Sequence, residues 1–135
     1  MNRLEELKRR KLVSQDLKIV EDLFGIHFLV SVQTQTQIKA NSKYEKFLIN
    51  KNVIKTFESK PPSLDITPFK LVASDYLIRL HDSLSGEWFG VKNYEEFVKA
   101  CVNCGWVGLS LYSVSGDKLY SLYEDEYAWQ YYINE

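Results

Sequence analysis

The sequence predicts an α+β fold, with a mainly antiparallel sheet, packed helices and an N-terminal amphipathic helical arm. Three observations support this class: apolar residues recur at helical spacing near the N-terminus, several later segments have strand composition, and there is no regular strand–helix–strand rhythm. A length of 135 residues fits one domain with an ordinary core. We therefore predict one domain over residues 1–135, with residues 1–25 as the arm and residues 58–68 as a Pro-containing loop.

The arm has the pattern of a charged amphipathic helix. Leu4, Leu7 and Leu12 recur at roughly helical spacing among basic and acidic residues. Ser14 is suited to cap a second helical segment that ends at Gly25. The two segments can also form one kinked helix.

The middle of the chain predicts a strand, a short helix and a second strand. Residues 26–38 alternate with a period of two, which indicates a long strand whose second half, QTQTQ, is polar on both faces. Asn41 or Ser42 can cap the short helix that follows. The segment NVIKTF then predicts a strand that ends before Pro61 and Pro62.

The second half of the chain is richer in strands. FKLVAS, YLIRLH and WFGV have strand composition, although Tyr76–Leu84 can also be helical. Asn93, with Glu96 three residues later, is close to a capping box and predicts a helix over Tyr94–Cys104. WVGLSLYSV and LYSLY, joined by the turn SGDK, predict a hairpin. EDEYAWQYYI is expected to close the chain as a helix with its acids at the N-terminal end.

Composition and charge restrict the class of protein. The formal net charge is -1, which predicts neither a general nucleic-acid binder nor an acidic mimic of nucleic acid. Basic residues outnumber acidic ones over residues 1–60, and the reverse holds over residues 61–135. The N-terminus has no apolar signal region and no segment is apolar enough to span a membrane, so we expect a cytoplasmic protein without membrane contact.

The two cysteines, Cys101 and Cys104, form the motif that most suggests chemistry. A redox pair is expected at a helix N-terminus, where the helix dipole lowers the thiol pKa, whereas these residues fall in the last turns of the predicted helix. A zinc site would need His27 and His81 as well, and a thiol nucleophile would need His81 with Asp82. We interpret both cysteines as core residues and predict no metal, no cofactor and no catalytic residues.

Other catalytic motifs are lacking. The sequence has no GxSxG nucleophile elbow, no P-loop and no glycine-rich dinucleotide loop. A thiol- or zinc-dependent enzyme therefore remains only a minority interpretation.

A basic group in the first half is the candidate for nucleic-acid contact. If Ser42 begins a helix, Lys43 and Lys46 share one exposed face of that helix, which is suited to bind phosphates. The members of the group are Lys39, Lys43, Lys46, Lys51 and Lys55. A solvated lysine face without a ligand is the simpler alternative.

The aromatic C-terminal tail is the candidate for a protein partner. On a helix, its aromatic residues would point to nearly every side, so some would stay exposed, and Tyr and Trp are enriched at binding hot spots. These residues are Tyr127, Trp129, Tyr131 and Tyr132, with Glu124, Asp125 and Glu126 as an acidic rim. The alternative is a terminal helix that covers the core.

From these features we predict a small non-catalytic factor that binds another protein, as an inhibitor, an immunity-type protein or an accessory protein. A second copy of the chain is one such partner, as a homodimer. The alternative function is a nucleic-acid-binding regulator that uses the lysine-rich face.

Overall fold

The fold is a sheet with helices on both faces, in a computed structural model that describes residues 2–30, 32–57, 63–125 and 128–134. Within these residues lie three α-helices, which are α1 (Arg3–Phe24), α2 (Thr34–Ile49) and α3 (Tyr94–Asn103). The strands are β1 (Phe28–Leu29), β2 (Val53–Phe57), β3 (Tyr76–Leu80), β4 (Phe89–Val91), β5 (Leu109–Ser113), β6 (Lys118–Asp125) and β7 (Ala128–Asn134). A short 3-10 helix spans Thr67–Phe69.

The seven described strands form one sheet in the order β1-β4-β3-β5-β6-β7-β2, and all neighbours are antiparallel. The larger core lies between one face of this sheet and helices α1 and α3, and the smaller core lies under α2 on the other face. Central strands alternate between the two cores: Ile78 points to the larger core and Leu77 to the smaller one. The predicted α+β class with an N-terminal helix is confirmed.

Helix α1 is one continuous helix, and its two caps explain its ends. The Asn2 side chain accepts a hydrogen bond from the Glu5 backbone N–H at 2.9 Å, and Gly25 has a left-handed φ of 68°, which glycine adopts without a steric penalty. Its buried side chains begin only at Val13, while Leu4 and Leu7 are exposed. The first turns therefore add little to the core.

The strand predicted over residues 26–38 is wrong except at Phe28–Leu29, because QTQTQ lies at the start of helix α2. The buried residues of α2, namely Gln37, Ala40, Tyr44 and Phe47, recur at helical spacing. Gln37 occupies a core position because its amide bonds the Trp88 backbone twice, at 2.7 and 2.9 Å. Gln37 satisfies the buried backbone N–H and C=O groups of Trp88. Because this core position is polar, the spacing of apolar residues alone does not reveal the helix.

The helix predicted for the C-terminal segment is also wrong, because residues 128–134 form β7 between β6 and β2. Trp129 and Tyr131 belong to the larger core and Tyr132 to the smaller one. Aromatic residues in succession suit a strand whose two faces are both covered.

Most other elements agree with the prediction. The β5–β6 hairpin, β2 and the helix that begins after Asn93 are confirmed, and the Asn93 side chain accepts from the Glu96 N–H at 3.0 Å. Tyr76–Leu80 is a strand and not a helix. FKLVAS is not a strand, since it contains the end of the 3-10 helix and an irregular segment. Residues 58–62 of the predicted loop lie outside the described residues.

A buried carboxylate holds the loop between β3 and β4 against α1. Asp16 is 4% exposed and accepts hydrogen bonds from the Ser83 hydroxyl, the Leu84 N–H, and both the N–H and the hydroxyl of Ser85. Burial raises the pKa of Asp16, but the hydrogen bonds outweigh burial and keep this pKa below its ordinary value of 3.8. Asp16 therefore stays ionised while it fixes the loop.

We expect Asp16→Asn to lower the free energy of unfolding at neutral pH by about 2–3 kcal/mol, because the amide of asparagine cannot accept hydrogen bonds from all four donors. A carboxyl with a lowered pKa stabilises the fold above its ordinary pKa and loses that effect as the pH falls. The difference in the free energy of unfolding between wild type and variant should thus shrink as the pH drops below 3.8. Urea unfolding across pH measures it, with Asp22→Asn on the exposed side of α1 as the control; a difference that is constant with pH would contradict the assignment.

Candidate functional site

Both cysteines are buried in the larger core. Cys101 and Cys104 are 2% and 1% exposed, at the C-terminal end of α3. Burial, followed by the neighbouring thiol of Cys104, raises the pKa of Cys101 to about 12. Burial also raises the pKa of Cys104. Burial therefore disfavours, at both positions, the thiolate form that nucleophilic or metal chemistry needs.

His81 lies on the opposite face of the sheet from the cysteines. Its ring sits among Tyr44, Phe47 and Tyr123, at centroid distances of 6.0, 6.4 and 5.1 Å. Its Nε2 is 3.0 Å from the Ser110 hydroxyl, which in turn is 2.6 Å from the Ser121 hydroxyl. The sheet therefore separates His81 from the thiols.

The His81–Ser110 pair has the spacing of a base and a nucleophile, but it is closed to substrate. Ser110 is 0% exposed beneath α2. Desolvation, and then the charges of Arg79 and Lys51, lower the pKa of His81 to about 4. Among the described residues, no group of three or more His, Cys, Asp or Glu side chains is placed to hold a metal ion. We interpret the histidine and the two serines as a buried polar network that joins neighbouring strands.

The five lysines proposed for nucleic-acid contact do not form one free cationic face. Lys43 is only 15% exposed and lies 3.6 Å from the Asp117 carboxylate. Lys51 lies over the Tyr123 ring at 4.5 Å, and Lys55 lies over the Phe57 ring at 5.3 Å. Lys39 and Lys46 are exposed on α2. Nucleic-acid binding by this group stays a prediction.

The aromatic side chains that the structure describes in the C-terminal tail are buried and do not form an exposed surface for a partner. Trp129, Tyr131 and Tyr132 are 5%, 0% and 5% exposed. Glu124 and Asp125 pair with Trp129 and Ala128 across the β6–β7 hairpin. Glu126 and Tyr127 lie outside the described residues. The role of this segment in partner binding stays a prediction, and its three described aromatic side chains do not support it.

The structure instead brings exposed apolar and basic residues together at residues 51–57, which we call the β2 edge. Strand β2 pairs with β7 on one side and, among the described strands, has no neighbour on the other. Ile49, at the end of α2, is 88% exposed, while Val53 and Ile54 are 50% and 43% exposed. The edge also contains Lys51 and Lys55, and a register irregularity lies between Val53 and Lys55. An exposed edge strand offers unpaired backbone donors and acceptors to another chain.

Two open pockets adjoin the β2 edge. The first has a volume of about 320 Å³, and its lining residues are Lys46, Ile49, Asn50, Asn52 and Asn134. The second has a volume of about 380 Å³, and its lining residues are Ile54, Lys55, Phe57, Thr67, Pro68 and Lys70. Each pocket combines apolar surface with at least one lysine. An added strand could place side chains in both pockets.

Comparisons with known proteins found no match among protein-family models, curated proteins or solved structures, so the geometry of the site is the basis for its interpretation. Among the described helices, none is long and apolar enough to cross a membrane.

The buried state of His81 should make stability depend on pH. Between pH 6.5 and about 4 the unfolded chain binds a proton that folded His81 does not, so wild-type stability should fall by on the order of 3 kcal/mol over this interval as the pH is lowered. His81→Gln should flatten the profile. Thermal or urea unfolding measures it, and His27→Gln, at the exposed histidine, is the control. An equally steep profile for His81→Gln would show that another group is responsible.

Proposed function

We propose that this chain is a small non-catalytic protein-binding factor, of the inhibitor, immunity or accessory type, and that it binds an extended segment of another protein along the β2 edge. The observation that carries the proposal is an exposed edge strand with apolar side chains and two adjoining pockets. An extended segment that pairs with such an edge gains main-chain hydrogen bonds, and alternate side chains gain contacts in pockets.

The charges at the β2 edge favour an acidic partner. Residues 51–57 contain two lysines and no acid. Lys46 and Lys70 add positive charge in the adjoining pockets. A segment with apolar residues and with Asp or Glu therefore complements this surface.

The same charges disfavour self-association through this edge. Two copies joined at their β2 edges would bring Lys51 and Lys55 of both chains close together. Lysines and irregular register are devices that protect edge strands from indiscriminate pairing. We therefore propose a different protein as the partner, not a second copy of the chain.

The buried chemistry of the described residues supports a role without catalysis. The Ser110 hydroxyl is shielded from solvent, and both thiols have raised pKa values. The β2 edge, in contrast, is open to solvent and contains no arrangement of nucleophile and base. Binding is the activity that this surface supports.

The proposal predicts that Lys51→Glu with Lys55→Glu weakens partner capture by about tenfold or more, because an acidic segment would be repelled. The measurement is a pull-down with the tagged chain from lysate of its source, with and without nuclease, followed by titration of the recovered protein. The matched control is Lys8→Glu with Lys99→Glu, which changes the net charge equally at exposed sites on α1 and α3.

Amide hydrogen exchange then tests the binding mode. Strand addition should slow exchange within residues 53–57 when the partner is bound. Equal loss of capture in both double variants, or unchanged exchange along β2, would reject this edge as the binding surface. Capture that disappears with nuclease would favour the nucleic-acid-binding alternative.

A further inference from the structure

A second possible site lies between α1 and the sheet, and it involves none of the β2-edge residues. We call it the α1 cavity. Its volume is about 220 Å³, which exceeds the ~150 Å³ cavity that is known to admit benzene in an engineered protein. The apolar walls are formed by Ile19, Val20, Leu23, Leu80, Phe89 and Val107.

The polar wall of the α1 cavity is negatively charged. Asp16, Asp82 and Glu87 line it, and only Glu87 has a cationic partner, Arg9 at 2.9 Å. In the part of the chain that the structure describes, Asp16 and Asp82 form no ion pair. Three carboxylates thus line the cavity, and one of them is paired with a guanidinium.

Asp16 is the unusual member of this wall. It is 4% exposed, and among the described residues its hydrogen bonds come from neutral donors and no ion pair offsets its charge. Buried charges in proteins are normally paired, because an isolated charge in an apolar environment is costly. The four accepted hydrogen bonds use the oxygens of Asp16, so a cation in the cavity would gain from its field while contacting a different carboxylate.

Asp82 is suited to be that contact. It is exposed, lines the cavity and lies two residues after the end of β3. Ile19 and Leu23 are 47% and 38% exposed on α1, so apolar surface continues to the solvent side. A ligand can therefore place an apolar body between the helix and the sheet while its charged end stays near Asp82.

We propose that the α1 cavity binds a small organic cation, an ammonium group on an aromatic or branched aliphatic body. The apolar walls take the body, and the carboxylates select the positive charge. A neutral ligand of the same shape would leave the negative charge of the carboxylates uncompensated, and an anion would be repelled.

The test uses the full chain and three probes of similar shape: phenethylammonium, 2-phenylethanol and phenylacetate. Methyl and amide NMR titrations follow Ile19, Leu23 and Val107. We expect phenethylammonium to bind at least about tenfold more tightly than the alcohol, since a hydrogen bond to a charged group contributes about that factor. Phenylacetate should not bind.

Two variants locate the site. Asp82→Asn should remove most of the preference for the ammonium, whereas the control Asp22→Asn, an exposed acid on α1 outside the cavity lining, should keep it. Ile19→Trp should fill the cavity and abolish binding of every probe. The proposal is overturned if phenethylammonium does not bind, if the alcohol binds equally well, or if Asp82→Asn leaves the preference unchanged.

Discussion

The structure depends on one constraint: the central strands must bury side chains on both faces of the sheet. In β3, β5, β6 and β7, neighbouring residues enter different cores. Such a sheet is stable only when helices cover both faces. Helix α2 is therefore indispensable, although it begins with a run of glutamine and threonine, because without it Leu77, Tyr112 and Tyr132 would face water.

This constraint explains which elements the sequence could predict. The β5–β6 hairpin and the cap of α3 depend on residues a few positions apart, so local patterns suffice. The start of α2 depends on hydrogen bonds between Gln37 and the distant Trp88, which no local pattern encodes. The C-terminal segment has the same aromatic pattern whether it is an exposed helix or a strand between two cores, and only the position of β7 decides between them.

The candidate site was predictable only in its components. The lysines at positions 51 and 55 and the strand composition of NVIKTF are visible in the sequence. Their importance comes from strand order, since the same segment in the middle of the sheet would have both sides paired. The α1 cavity likewise combines residues from α1, the end of β3 and the segment before β5, and its charge imbalance arises from tertiary contacts.

The position of β2 also affects how the chain folds. Among the described strands, β2 pairs with β7 and with no other, and all of β3 to β6 lie between them in the chain. Because closing so long a loop is entropically slow, we expect this pairing to form late in folding. Residues 53–57 would then acquire a strand conformation only after the rest of the sheet has assembled. A segment that recognises β2 would discriminate between the completed molecule and its folding intermediates.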